Sequence, residues 1–269
     1  MSKQQYLYII RHGDRWDYEN RDWTSSRSGD PPLSLLGHVQ ARETGAFLQQ
    51  DFMQRQHRLE DITFLVSPFL RTIQTANEII DQLGRMPSDN ATTLSRVKIL
   101  PEYSIFEWDG HNGEWHACLP SMQERVHYFP RIDPTHHSLF VPELPEPKSM
   151  FRNRCKKAAD LLMKQYPVER YPVLVLITHA AGCVGLSSAT SDSPLEAITP
   201  AAPCGIYRLT RSSSQSLWTL PSHDDMWNGH TDHLSDIGRH TTPWNHFGDK
   251  KSTNLGYTGP PNSRFAPAP

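Results

Sequence analysis

The sequence lacks a charge excess of either sign and lacks any long apolar run. Its 269 residues include 27 Lys and Arg against 29 Asp and Glu, a formal net charge of −2. This balance gives the whole chain no electrostatic reason to bind nucleic acid or an anionic membrane. No stretch approaches the ~18 consecutive apolar residues of a membrane span. The first apolar run, residues 6–10, is too short for a signal peptide, so we predict a cytoplasmic protein.

Cysteine and glycine are also scarce. There are 4 cysteines, at positions 118, 155, 183 and 204, and no CxxC pair, which favours free thiols over disulfides. Proline, with 22 residues, outnumbers glycine, with 15, and predicts long ordered loops or a loose tail. Histidine is abundant instead, with 14 residues, and this number indicates either a metal site or histidine chemistry.

Predicted strands alternate with predicted helices along most of the chain. Apolar runs predict strands at residues 6–10, 62–66, 97–100 and 172–178. Helical spacing and capping residues predict helices at residues 35–50, 70–83, 149–165 and 180–188. Residues 206–209 and 216–220 are expected to form an antiparallel pair at a sheet edge. The alternation predicts an α/β protein, a three-layer α/β/α sandwich with a mostly parallel sheet.

We expect one domain over residues 1–249. Within it, residues 107–148 have no clear periodicity and are predicted to form an insertion or lid. The segment 222–249 is polar and irregular, and residues 250–269 are predicted to be a disordered tail. His230 and His233 have a spacing that a metal could use, but no cysteine joins them. A solvated loop or a flap is therefore the favoured interpretation.

Basic and imidazole side chains follow three of the predicted strands. Arg11 and His12 end the first strand, His179 ends the strand at 172–178, and Arg71 follows the second strand by one helical turn. Ligands bind at the carboxyl ends of parallel strands, so we expect these side chains to meet at one edge. Together they repel one another, and a phosphate dianion would reverse the repulsion. We predict a phosphate site in which neutral His12 attacks phosphorus.

A leaving alkoxide needs a proton donor, and one acidic segment follows the third strand. Glu107 is the favoured donor, because Phe106 and Trp108 would desolvate its carboxyl group and raise its pKa. Asp109 and Glu114 are the alternatives.

These segments resemble the motifs of the histidine phosphatase superfamily, whose fold is phosphoglycerate-mutase-like. Arg11-His12-Gly13 resembles the RHG signature, residues 33–48 the first helix, residues 67–76 the second arginine motif, and residues 173–179 the second histidine strand. The resemblance covers about residues 5–210 in the family's order. Within the superfamily, Arg15 and residues 105–108 are most similar to the eukaryotic suppressor-of-T-cell-receptor-signalling and ecdysteroid-phosphate phosphatase group.

The resemblance implies a metal-independent phosphomonoesterase that needs no cofactor. His12 would carry the phosphoryl group as phosphohistidine, and Glu107 would protonate the leaving group and then activate water. The phosphate oxygens would be held by Arg11, Arg15, Arg71 and His179. The expected partner is a phosphorylated small molecule or phosphoprotein, with no nucleic acid and no membrane; a homodimer is left open.

Ala180 departs from the family pattern, because this branch usually has glycine after the second histidine. The added methyl group would narrow the pocket. In the acid-phosphatase branch an aspartate at that position is the acid, and Ala180 cannot serve. The His223-Asp224 pair imitates that motif but follows a weaker strand, which favours Glu107.

Two other functions remain open at this point. A phosphoglycerate-type mutase must bind a second acidic group, and Asp14 and Asp17 oppose a small, doubly anionic substrate. A weakly active or inactive scaffold or binding module of the same fold is the other alternative. Retention of all the pocket residues argues against such a module, while Ala180 keeps it open.

Overall fold

A five-stranded sheet forms the centre of the molecule. The computed structural model describes residues 4–20, 22–25, 27, 29–85, 91–108, 119–236 and 238–239. The strands are β1 (Gln5–Arg11), β2 (Ile62–Val66), β3 (Ile99–Pro101), β4 (Val173–Thr178) and β5 (Ile206–Arg211). Their order across the sheet is β3-β2-β4-β1-β5. The four strands predicted from the apolar runs are all present.

The sheet is parallel except at one edge. β4 pairs in parallel with both β1 and β2, and β3 pairs in parallel with β2. β5 runs antiparallel to β1. All six residues of β4 are buried, which explains why its sequence is continuously apolar rather than alternating. The prediction of an α/β fold with a mostly parallel sheet is confirmed.

Helices connect the strands and cover both faces of the sheet. They are α1 (Trp16–Glu19), α2 (Leu35–Gln54), α3 (Leu70–Leu83), α4 (Ala91–Arg96), α5 (Met122–Tyr128), α6 (Lys148–Gln165) and α7 (Ala180–Ser191). The predicted helices are present, and α2 and α7 continue beyond their predicted ends. Ser34 caps α2, because its Oγ accepts a hydrogen bond from the Gly37 N–H at 3.0 Å. Among the described residues, no helix has both the length and the apolar character to cross a bilayer.

Alternate side chains of the strands enter two separate apolar clusters. Leu174 and Leu176 of β4 pack with Phe151 of α6 on one face of the sheet. Val175 and Ile177 of the same strand pack on the other face in the cluster that holds the apolar side of α3. Because successive side chains of a strand point to opposite faces, each face of the sheet packs against its own layer of helices. This is the three-layer sandwich expected from the sequence.

The outer edge of β5 differs from the prediction. Residues 216–220 form no strand in the structure, and meet β5 through an isolated bridge between Thr210 and Thr219. The expected antiparallel partner of β5 is instead β1, along the full length of the strand. Farther along the outer edge, the Arg208 N–H donates to the Trp227 carbonyl at 2.9 Å. The outer edge of β5 is thus covered by short contacts in place of the predicted strand.

The segment predicted to be an insertion or lid is attached to the sheet in its described part. The Ile99 N–H donates to the Arg131 carbonyl at 2.8 Å, and the Asp133 N–H donates to the Ile99 carbonyl at 2.9 Å. Ile132 thereby forms a parallel bridge with Ile99 beside β3. Residues 109–118 lie outside the described residues.

The turn after β1 packs backbone to backbone against the start of α2. A Cβ atom on Gly13 would lie 2.5 Å from the Gly37 carbonyl oxygen, and a Cβ atom on Gly37 would overlap the Asp14 carbonyl oxygen. The Ser34 N–H donates to that same Asp14 carbonyl at 3.0 Å. Glycine at both positions therefore lets the turn that carries His12 approach the helix this closely.

We expect Gly37→Ala to destabilise the protein by about 1–3 kcal/mol, the usual cost of overpacking. The higher helix propensity of alanine, worth about 0.5–1 kcal/mol, is too small to offset an overlap with a backbone carbonyl. Urea unfolding measures the difference, with Gln50→Ala at an exposed position of α2 as the control. A Gly37→Ala protein as stable as the wild type would contradict the close packing of this turn.

Candidate active site

The carboxyl edge of the sheet brings the predicted basic residues together. Arg11 and His12 lie at the end of β1, His179 follows β4, and Arg71 lies in the first turn of α3. The ring centroids of His12 and His179 are 5.3 Å apart, and Arg71 Nη2 lies 3.2 Å from His179 Nδ1. All four side chains are buried. The His12 N–H donates to the Thr178 carbonyl at 3.0 Å, which holds the two strand ends in register.

The ring of His12 is oriented by the backbone of the next residue. Nδ1 lies 2.7 Å from the Gly13 carbonyl oxygen. Since a carbonyl only accepts, Nδ1 carries the hydrogen and Nε2 keeps its lone pair. Burial, together with the charges of Arg71 and Arg11, holds the pKa of His12 well below its usual range. His12 is therefore a neutral imidazole at neutral pH, with Nε2 as its nucleophilic atom.

Arg71 is a buried cation with incomplete hydrogen bonding. It is 1% exposed. Its Nη2 lies 3.5 Å from Glu107 Oε2, while Nε and Nη1 are buried without a hydrogen-bond partner among the described residues. Burial and the nearby charge of Arg15 lower the pKa of Arg71 to about 10, so it remains charged at neutral pH. The oxygens of a phosphate group would satisfy such a guanidinium.

His179 has a polar partner at each ring nitrogen. Nε2 lies 2.8 Å from Ser67 Oγ, and Nδ1 lies 3.2 Å from Glu107 Oε2. Phe69 packs edge-on against the ring, with centroids 4.9 Å apart. Burial lowers the pKa of His179 to about 4 despite the attraction of Glu107. The ring is thus neutral at neutral pH and fixed in orientation.

Glu107 lies within reach of both histidines. One ring nitrogen of His12, one of His179 and a carboxylate oxygen of Glu107 all lie within 4.8 Å of one another. Burial raises the pKa of Glu107, as expected from its aromatic neighbours, but His179, Arg71 and Arg15 outweigh burial and lower the pKa to about 2. The expectation of a raised pKa is therefore wrong for the protein alone. Asp109 and Glu114, the alternative donors, lie outside the described residues.

Arg11 and Arg15 have partners outside the cluster. Arg11 Nη1 donates to the Ala201 carbonyl at 2.8 Å. Arg15 forms a bidentate pair with Asp17, in which Nε and Nη2 donate to the two carboxylate oxygens at 2.9 and 2.7 Å. Its Nη1 donates to the Tyr18 hydroxyl at 3.2 Å. All three guanidinium nitrogens of Arg15 therefore bind neighbouring side chains, whereas the resemblance implies a contact with phosphate.

The charges at this edge favour an anion over a metal ion. Three donor atoms, from His12, Glu107 and His179, are spaced closely enough to hold a cation. Arg71, however, lies directly beside two of these donors, and the charge of Arg11 also acts on His12. Two guanidinium groups repel a divalent cation and attract a phosphate dianion.

A family model identifies the superfamily. The model of the histidine phosphatase superfamily (branch 1) matches residues 7–223. The chain belongs to this superfamily. The match spans β1 to β5 and so includes every side chain of the cluster.

Solved structures share the histidine phosphatase fold. The ecdysone phosphate phosphatase from Bombix mori, in complex with tungstate, has a TM-score of 0.57 at 18% identity and covers 81% of this chain and 92% of its own. Bacillus stearothermophilus YhfR has a TM-score of 0.52 at 18% identity, with 86% and 100% covered. Phosphoglycerate mutase from Bacillus anthracis str. Sterne has a TM-score of 0.50 at 19% identity, with 84% and 95% covered. At these identities the likeness establishes the fold. No curated protein gives a significant match.

Ala180 and the His223-Asp224 pair, both of which the sequence analysis singled out, lie in very different environments. Ala180, at the position where the resemblance implies a glycine in this branch, is buried and belongs to the apolar cluster around α6 and α7. The methyl group therefore contributes to core packing. His223 and Asp224 have side chains that are 52% and 101% exposed, which is a poor environment for a general acid.

His230 and His233, whose spacing a metal could use, make contacts with other protein groups. His233 stacks on Phe47 of α2, with ring centroids 5.0 Å apart, and its Nε2 lies 3.0 Å from Thr44 Oγ1. His230 Nε2 lies 2.9 Å from the His223 carbonyl oxygen. These two histidines thus have separate partners rather than a shared one.

Sequence reasoning missed the residues that hold the site in place. Ser67, at the end of β2, contacts His179, and its position at a strand end was the available clue. Thr75 accepts a hydrogen bond from the Gly13 N–H at 3.1 Å. Asp17 was interpreted as a charge that opposes substrate, whereas it binds Arg15. The contacts of Ser67 and Thr75 join distant segments, so no local pattern predicts them.

The unsatisfied guanidinium of Arg71 yields a binding prediction. Tungstate should raise the Tm of the wild-type protein, because an anion that binds only the native state stabilises it. Arg71→Gln removes the charge and should abolish most of this increase. Arg42→Gln, at an exposed arginine paired with Glu78, serves as the control and should keep it. A thermal melt in which Arg71→Gln retains the full tungstate shift would show that Arg71 is not at the anion site.

Proposed function

We propose that this protein is a metal-independent phosphomonoesterase that forms phosphohistidine on His12. The observation that carries the proposal is a neutral, backbone-oriented His12 beside Arg71, a buried cation with two guanidinium nitrogens that lack a hydrogen-bond partner among the described residues. A phosphate group between them would satisfy the cation and meet the nucleophile at the same time. Arg71 and Arg11 supply the positive charge that a metal ion supplies in other phosphatases. The substrate is a phosphorylated small molecule or a phosphoprotein.

The first step transfers the phosphoryl group to the protein. His12 Nε2 forms a bond to phosphorus as the ester P–O bond breaks, and the electron pair of that bond leaves with the alkoxide oxygen. Arg11, Arg71 and His179 hold the other phosphate oxygens, while Arg15 stays paired with Asp17. The bond between Nδ1 and the Gly13 carbonyl stabilises the ring as positive charge develops on it.

Glu107 supplies and then recovers a proton. By itself the carboxyl group is ionised, because the surrounding cations lower its pKa to about 2. A bound phosphate offsets those cations, so the pKa of Glu107 rises on binding and the carboxyl takes up a proton. That proton goes to the leaving alkoxide. The carboxylate then takes a proton from water as the water attacks phosphorus, and the N–P electron pair returns to Nε2.

The position of Arg15 favours a phosphatase over a mutase. A phosphoglycerate-type mutase needs a free cation for the second acidic group of its substrate. Arg15 is the nearby candidate, and Asp17 already neutralises it in a bidentate pair. A second anionic group would have to displace that pair.

Hydrolysis of p-nitrophenyl phosphate in the presence of EDTA tests the function. We expect turnover that EDTA leaves unchanged and that His12→Ala lowers by about 10⁴-fold or more, since the nucleophile is removed. His223→Ala, which removes an exposed histidine, should match the wild type. Turnover that does not depend on His12 would refute the proposed phosphatase site. Loss of turnover with EDTA would refute the metal-free mechanism. Rapid alkaline quenching should trap a phosphoprotein that acid then hydrolyses, which identifies the phosphohistidine.

The pH dependence follows from the lowered pKa of His12. A histidine with a lowered pKa remains neutral, and therefore nucleophilic, at pH values where an ordinary histidine is protonated. With p-nitrophenyl phosphate, whose leaving group needs no proton, we expect kcat/KM, corrected for ionisation of the substrate, to stay level from about pH 7.5 down to about pH 5.5. A profile that falls with an apparent pKa near 6.5, the ordinary value for histidine, would contradict the assigned state of His12.

A further inference from the structure

Arg154 of α6 lies buried against the turn that carries Glu107. It is 6% exposed. Its Nη1 donates to the Ser104 carbonyl at 3.1 Å and to the Phe106 carbonyl at 2.8 Å. Its Nη2 reaches the carbonyl of Glu107 itself at 3.4 Å. One guanidinium group therefore binds the backbone of Glu107, the proposed acid, and the backbone of the residues that precede it.

The charge of Arg154 is balanced by a carboxylate from the segment before α6. Nε donates to the two carboxylate oxygens of Glu146 at 2.9 and 3.0 Å, and Nη2 also pairs with Glu146. Both side chains are buried. All three guanidinium nitrogens are thus satisfied, which distinguishes Arg154 from the incompletely bonded Arg71. Arg154 has no donors left for a substrate, so its role is structural support of another group.

The same pair also holds the residue after Glu107. Trp108 Nε1 donates to the Glu146 backbone carbonyl at 3.1 Å, and the Trp108 ring stacks on Phe151 at 5.7 Å between centroids. The guanidinium of Arg154 lies over that same Phe151 ring, 4.7 Å from its centroid. The backbone around Glu107 is therefore fixed on both sides by one buried unit of α6 and Glu146.

We propose that Arg154, paired with Glu146, is a positioning residue that holds the Glu107 carboxyl group at the leaving oxygen of the substrate. The inference rests on the proposed role of Glu107 as the general acid. Backbone hydrogen bonds from one planar group to three carbonyl oxygens fix the turn, and a shift of about 1 Å in a catalytic group can cost about 10²-fold in rate. A lysine cannot reproduce these contacts, because its ammonium group lacks the planar fork of arginine.

The test compares two leaving groups through kcat/KM, which reports on phosphoryl transfer to His12. p-Nitrophenolate leaves without a proton, whereas the alkoxide of glycerol 2-phosphate needs one. The reference is Glu107→Gln, which should lower kcat/KM for glycerol 2-phosphate by about 10²-fold or more and change it little for p-nitrophenyl phosphate. The double variant Arg154→Met/Glu146→Gln removes the buried pair without leaving an unpaired charge. Lys156→Met, at an exposed position of α6, is the control.

We expect the double variant to reproduce the selectivity of Glu107→Gln, with a loss of about 10²-fold on glycerol 2-phosphate and a retained burst of p-nitrophenol. Arg154→Lys keeps the charge and should show the same selective loss; it carries the test if the double variant does not fold. The role of Arg154 would be refuted if Glu107→Gln lowers kcat/KM only for glycerol 2-phosphate while the Arg154 variants lose equally on both substrates or lose nothing. If Glu107→Gln itself is not selective, the proposed acid is wrong and the inference falls with it.

Discussion

The guanidinium group of Arg71 is buried at the carboxyl edge of the sheet, and two of its nitrogens find no partner in the part of the chain that the structure describes; the chemistry of the site depends on this group. Each unsatisfied buried donor costs about 1–3 kcal/mol, which the fold tolerates through the packing of its core. The same charge helps keep His12 neutral and helps keep Glu107 ionised. A phosphate group would satisfy the free donors of Arg71 and offset its charge, so the site is complementary to an anionic ligand.

The sheet makes this arrangement rigid. β4 is buried on both faces, and the helical layers on either side lock its register with β1 and β2. Because His12 follows β1 and His179 follows β4, their separation is set by strand pairing and varies little with the loops. Glu107 does not directly follow a strand. Its backbone is held instead by the buried Arg154–Glu146 pair.

The sequence predicted the parallel sheet and the meeting of His12, Arg71 and His179, because apolar runs place strands and parallel strands end at one edge. It did not predict the ionisation of Glu107, since the local aromatic neighbours indicate desolvation while the deciding cations come from distant segments. The bidentate bond of Arg15 to Asp17 is local, yet it depends on side-chain directions that spacing alone does not define. Residues 216–220 meet one edge of β5 through a single antiparallel bridge at Thr219, whereas β1 pairs with the other edge along its full length.

Phosphoryl transfer by this site depends on His12 being a neutral imidazole with its hydrogen on Nδ1 and its lone pair on Nε2. Nitrogen-15 NMR of the histidine rings, with His12 assigned by comparison with His12→Ala, measures both properties directly. At pH 6 we expect a neutral His12 ring whose Nδ1 is protonated. A protonated imidazolium at that pH, or a neutral ring with the hydrogen on Nε2, would contradict it.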